Sequence, residues 1–212
     1  MKIRLVKIAL CVLFGLIQVG CVTPYDYTNF RSYPPRSILV IPPLNESTDV
    51  GGTYSYLSTV TMPIAELGYY VYPVAVVDQF FKENGMPMAG EMHQTPLKKI
   101  LEIFGADAVL YLTLKQYGTK YQVINSATIV TAEAKLVDTR TGTLLWEGTV
   151  MAQQNSGGSG NILGDLIAAA IVQVINKSTD EAHNVARMAN CKFAIKGRGL
   201  LLGPYHPQFG KE

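Results

Sequence analysis

Cysteine and histidine are the side chains best suited to nucleophilic or metal chemistry, and the chain carries three of each. His93, His183 and His206 are far apart and lack a ligand spacing such as H-E-x-x-H, so no metal site is predicted. Cys191 with His206 is the one nucleophile and base pair to name, and a lone cysteine and histidine are weak grounds for a hydrolase. No G-x-S-x-G elbow is present. Gly157, Gly158 and Gly160 suggest a phosphate cradle but fit neither G-x-G-x-x-G nor G-x-x-x-x-G-K-[ST], so they read as a flexible linker. Glu46, Asp49, Asp78 and Asp107 each sit beside a predicted element boundary, where capping and solvation account for them. These residues specify no catalytic centre, no metal and no cofactor.

The remaining chemistry is at the start of the chain. Lys2, Arg4 and Lys7 precede an apolar run from Ile8 to Ile17, and Val19-Gly20-Cys21 closes it with small residues before a cysteine. This is an export signal. The run is shorter than the roughly 20 residues that span a bilayer. A cysteine directly after small residues resembles the cleavage-and-lipidation box of bacterial lipoproteins, with Gln18 standing where that box commonly has leucine. The resemblance implies removal of residues 1–20 and acylation of Cys21, whose lipid would insert in the membrane. Val22, where an aspartate resembles an inner-membrane retention mark, favours the outer membrane.

The 212 residues carry 18 basic and 16 acidic side chains. Without the signal, which holds three of the basic ones, 15 face 16 and the net is −1. A nearly neutral chain has no electrostatic footprint for nucleic acid or, overall, for anionic lipid. Cys11 leaves with the signal and Cys21 would be acylated, so Cys191 has no partner for an internal disulfide and reads as a small buried apolar residue.

The elements follow from spacing. Residues 21–36, with Pro24, Pro34 and Pro35, lack periodicity and read as a membrane tether. Ile38 to Ile41 is a short buried strand and Leu44 to Gly52 a polar loop. Leu57, Val60, Ile64 and Leu67 share a helical face, on which Pro63 either kinks the helix or starts a shorter one. Tyr69 to Val77 reads as a strand, Asp78 as the cap of a short helix ending at Asn84-Gly85, and the stretch to Gln94 as a loop. Thr95-Pro96 opens a helix with Leu97, Ile100, Leu101 and Phe104 on one face, stopped by Gly105. Ala108 to Tyr117, Thr128 to Val137 and Thr143 to Val150 form a meander, with Leu110, Leu112 and Leu114 on one face and Leu144 and Trp146 on another. After the Gln153 to Gly160 hinge, Ile162 to Ile175 is apolar on most sides and suits a core or self-association helix. Residues 196–212 read as an extended tail. The fold class is α/β: one compact domain over 37–195 with a mixed sheet, helices packed on it and a long C-terminal helix. Twelve tyrosines, crowded at Tyr54, Tyr56, Tyr69, Tyr70 and Tyr72, suit either an interface or core packing.

Four stretches carry a wider resemblance: Arg36 to Ser47 (RSILVIPPLNES), Tyr72 to Gly85 (YPVAVVDQFFKENG), Phe104 to Tyr111 (FGADAVLY) and Ala134 to Gly148 (AKLVDTRTGTLLWEG). With these the chain resembles a family of bacterial outer-membrane lipoproteins of unknown function, itself similar to the periplasmic domain of the curli-secretion lipoprotein CsgG and the amino-terminal domain of TolB. The resemblance implies a two- or three-layer α/β domain on the periplasmic side of the outer membrane, working beside other envelope lipoproteins, CsgG-like ones among them, and no catalytic residues. The expected function is a non-catalytic, lipid-anchored interaction or assembly module. A pore-forming subunit like CsgG is the alternative, with Tyr121 to Ala134 and Ile162 to Ile175 as its barrel candidates, and a Cys191 hydrolase ranks below it.

Overall fold

The computed structural model describes residues 25–121, 126–155 and 181–211. The signal, Cys21, the glycine hinge from Ser156 and the apolar stretch 162–175 lie outside them. The elements are α1 (Thr28–Ser32), β1 (Ser37–Val40), β2 (Leu44–Asn45), α2 (Gly52–Glu66), β3 (Tyr70–Val71), α3 (Val74–Glu83), α4 (Ala89–His93), α5 (Leu97–Phe104), β4 (Ala108–Tyr121), β5 (Ser126–Asp138), β6 (Leu144–Asn155), α6 (Glu181–Asn190) and a 3₁₀ turn (Cys191–Ala194).

The sheet runs β3-β1-β4-β5-β6, with β2 also on β4. β1 pairs parallel with β3 and β4, whereas β4, β5 and β6 form an antiparallel meander, so the sheet is mixed. The parallel neighbours of β1 require crossovers, which α2 and then α3 to α5 supply. Two apolar layers result. Ile38, Val40, Leu110, Leu112 and Leu114 face α2 and α6, while Leu39, Ile41 and Val109 face α3, α4 and α5. β1 is buried on both faces, which is why it reads as an unbroken apolar run. On β5, Ala132 and Ala134 turn inward and Glu133 and Lys135 outward, so this half of the sheet has one solvated face.

Several expectations change. Pro63 sits inside a single 15-residue α2; burial of Tyr56, Leu57, Val60 and Ile64 offsets the lost hydrogen bond. Tyr69 to Val77 is not one strand: β3 stops after two residues, and Pro73 occupies the N-cap of α3, which starts at Val74 rather than at Asp78. Packing of Val77 and Phe81 outweighs the strand propensity of the valines there. Ala89–His93, expected as loop, is a helical turn, with the Glu91 carboxylate accepting the Met88 N–H. In β6 the register slips at Leu145, so Leu145 and Trp146 are buried and Leu144 is 38% exposed. A bulge adds one residue and turns the following side chains to the other face.

The 21–36 tether is also revised from Tyr25 onward. Tyr27 and Phe30 are buried, and the Tyr27 hydroxyl donates to Gly199 O at 2.6 Å. Isolated aromatics do this packing, so no hydrophobic period announces it. The 196–212 tail has no regular structure, yet Leu200 is buried and Gly203 N donates to Leu67 O at 2.7 Å. β5 pairs along its length with β4 and buries Val130, Ala132 and Ala134 in the core, so Tyr121 to Ala134 is not one strand but takes in the end of β4 and the start of β5.

Candidate functional site

The residues that could do chemistry are dispersed, and both His93 and His206 are tied to the backbone. His93, on α4, donates from Nε2 to Pro42 O at 2.9 Å, its ring edge-on to Tyr111. Burial pushes its pKa down despite that hydrogen bond, which favours the neutral ring. His206 accepts the Gln208 N–H at Nδ1. Cys191 is a free thiol, pushed up by burial and by the Glu66 charge, with Arg187 opposing them. A protonated thiol is a poor nucleophile, and no hydrogen bond joins Cys191 to His206. Among the described residues, no group of three or more His, Cys, Asp and Glu side chains is placed to hold a metal. No helix among them is long and apolar enough to cross a membrane.

Sequence reasoning missed a contact of Ser55 Oγ with Tyr117 OH at 2.5 Å and His183 Nδ1 at 3.3 Å. It ties α2, β4 and α6 together, and no sequence signal reveals it because Ser55 and His183 are 128 residues apart. Asp107 is likewise more than a boundary residue. Its carboxylate accepts the Arg36 and Ser37 N–H groups and the Arg140 guanidinium at 2.6 Å. Burial works against its charge, but these donors outweigh it and hold the carboxyl below the usual carboxylate range. Of the other acids, Glu46 pairs with Lys115, Asp49 accepts the Gly51 N–H ahead of α2, and Asp78 pairs with Lys82 within α3. The tyrosine crowd divides: Tyr56 and Tyr69 are core, Tyr54 and Tyr70 are about half exposed.

One surface gathers residues from both ends of the chain, and it lies where the N-terminal segment joins the fold. The Tyr25 hydroxyl accepts the outward N–H of Glu147 on β6, the sheet's long edge strand. Asn29 donates to Leu144 O on the same edge. Trp146, from β6, stacks edgewise on Phe193 and donates from Nε1 to Arg198 O at 2.9 Å. Gly148 and Gly199 make this possible: a Cβ on the first would meet the Trp146 ring at 2.5 Å, and on the second Phe193 O at 2.2 Å. Tyr25, Asp26, Trp146 to Val150, Lys192, Ile195 and Arg198 line an open concavity of about 550 Å³ there. An apolar groove of about 290 Å³ lies between Phe30, Pro34, Tyr69, Leu202 and Phe209. The arrangement suits contact with another surface.

Comparison with known proteins agrees with an envelope assignment. Residues 25–205 match the family described as "Putative lipoprotein GNA1162-like". The chain is 42% identical over 207 residues to "Putative lipoprotein NMB1124/NMB1162" of Neisseria meningitidis serogroup B, covering 96% of each protein. The crystal structure of lipoprotein GNA1162 from Neisseria meningitidis superposes with a TM-score of 0.57 at 48% identity, over 68% of this chain and 100% of that one. The chain therefore belongs to the GNA1162-like family of bacterial lipoproteins.

Proposed function

We propose that the protein is a non-catalytic lipoprotein, acylated on Cys21 and held at the periplasmic face of the outer membrane, where it serves as an interaction or assembly module. Its partners are other envelope lipoproteins, CsgG-like ones among them. The observation that carries this is the match to a lipoprotein along 96% of the chain. Cys21 itself is assigned from the sequence, where it follows a basic start, an apolar run and small residues. Support comes from the polar side chains above, whose hydrogen bonds are spent on joining elements. Further support comes from β6. Glu147 N–H points away from β5, so by alternation Thr149 and Met151 turn their backbone groups to the edge that no described strand covers, where a partner strand could add.

Labelled palmitate tests the anchor: it enters the wild-type protein, which fractionates with the outer membrane, and does not enter Cys21→Ala. Mild crosslinking in intact envelopes tests the module and yields complexes with other lipoproteins. Label in Cys21→Ala, or a protein recovered from the envelope only as a monomer, would overturn the corresponding part.

A further inference from the structure

We propose that the segment carrying Lys192, Ile195, Lys196 and Arg198 is a membrane-contact surface that rests on anionic phospholipid headgroups beside the anchor. This rests on the Cys21 reading, and placement is its first support. Lys192, Ile195 and Arg198 line the same concavity as Tyr25. Tyr25 is four residues from Cys21, a reach of about 14 Å at full extension. An acylated Cys21 therefore keeps this rim close to the bilayer.

Charge is the second support. The ion pairs of the described residues use Lys82, Lys98, Lys115, Lys135 and Arg140, and none uses Lys192, Lys196 or Arg198. All three are exposed. The two acids of the concavity are engaged: Glu147 pairs with Lys135, and Asp26 accepts the Thr28 N–H and hydroxyl. A chain with no overall excess of positive charge thus concentrates unpaired cations beside its point of attachment. Ile195, 45% exposed, lies among them. An apolar side chain flanked by cations is the pattern of a segment lying at a headgroup boundary, where the stem enters and the charges stay with phosphate.

The segment is also held in shape before it binds. Trp146 Nε1 holds Arg198 O, Leu200 N donates to Phe193 O at 2.8 Å, and Tyr27 OH holds Gly199 O. Little ordering is left for the membrane to impose. An acidic protein surface could recognise the same cations, but attachment four residues away favours the bilayer.

The test uses the full mature chain with Cys21→Ala, so that no acyl group masks weak binding. Sedimentation with phosphatidylethanolamine–phosphatidylglycerol vesicles (3:1) should show binding that is absent with phosphatidylcholine and weakened by salt. Combined Lys192→Gln, Lys196→Gln and Arg198→Gln should lower partitioning about 100-fold, at about fivefold per cation, with an unchanged thermal midpoint. Lys98→Gln with Lys99→Gln, on α5, should leave it unaltered. No binding that depends on phosphatidylglycerol, or binding that survives the triple substitution, overturns the proposal. Palmitate labelling of wild type judges the anchor independently: label without vesicle binding sinks only the contact surface, and vesicle binding without label sinks only the anchor.

Discussion

The contact between α2 and α6 turns on a buried hydrogen-bonded chain that can be dissected quantitatively. Tyr56 is fully buried, and its hydroxyl donates to Asn190 Oδ1 at 2.5 Å. Asn190 Nδ2 donates to Thr59 Oγ1 at 2.8 Å, and Thr59 Oγ1 donates to Tyr56 O at 2.6 Å. Tyr56→Phe keeps the ring but leaves Asn190 Oδ1 without its donor where water does not reach. Orphaning a buried acceptor costs about 1–3 kcal/mol, or a fall in Tm of about 2–12 °C for a chain of this size. Asn190→Ala orphans the phenol and opens a small void, costing about the same or more. The double variant has no orphan at that contact, so its loss should fall short of the summed losses by about 1–2 kcal/mol. Urea denaturation of the unacylated mature chain, with a constant m-value, measures all three. Burial pushes the Tyr56 phenol above its ordinary range, so it remains a donor at any pH the protein tolerates. Additivity within about 0.5 kcal/mol, or a Tyr56→Phe variant as stable as wild type, would falsify the coupling.

Three further outcomes follow from the same accounting. His93 has a folded pKa below its ordinary 6.5; the unfolded chain binds the extra proton, so stability is full above pH 6.5 and declines as pH falls through and below it. His93→Gln should flatten that decline in denaturation midpoints taken between pH 7.5 and 5. Asp107→Asn removes the charge and one of the two oxygens that accept from Arg36 and Ser37 (Oδ2) and from Arg140 (Oδ1), and should cost about 1–3 kcal/mol at pH 7, a loss that shrinks as wild type is acidified through the depressed pKa of Asp107. Gly68 has φ +87°, and a Cβ there would lie 2.3 Å from His206 N. Gly68→Ala should therefore release residues 203–211 from α2, seen as faster proteolysis of the C-terminus, whereas Gly85→Ala, with nothing within 4 Å, should not.

What the sequence made legible was the part that repeats. Leu110, Leu112 and Leu114 alternate, Leu97, Ile100 and Phe104 recur at helical spacing, and Gly105 adopts the left-handed conformation that stops α5. The first strand was readable because a strand buried on both faces needs an apolar side chain at every position. Illegible parts depended on single long-range contacts. Phe30 and Tyr27 look like linker residues until Gly199 and the tail are placed beside them. Pro73 argued against a central strand, and the helix after it starts there because Phe81 and Val77 fill the second apolar layer. Leu145 could be assigned to the core only by knowing that a bulge adds a residue between Leu144 and Trp146. The surface around Tyr25 had no motif at all, since Tyr25, Trp146 and Arg198 are brought together only by the fold.

The buried polar groups tie elements of the fold together. Among the described residues, Thr59, Thr128, Asp138, Thr139 and Asn190 are the buried polar side chains, and every one has a partner. Thr128 meets Thr119 across β4 and β5, Asp138 accepts Arg140 N and Thr141 N to close the β5–β6 turn, and Thr139 donates to Ala106 O. Among the described residues, Asp78 Oδ1 is the one buried side-chain oxygen or nitrogen without a hydrogen bond, and its twin oxygen binds Lys82 on the same helix. These hydrogen bonds hold strands and helices of the described residues together. Two features face outward: the edge of β6 beyond Tyr25, which no described strand covers, and the cations at Lys192, Lys196 and Arg198. The first suits a protein strand and the second a charged surface. Both adjoin Tyr25, so a chain fixed at Cys21 would carry them together to the membrane, and removing the acyl group should change which partners β6 meets without changing the fold.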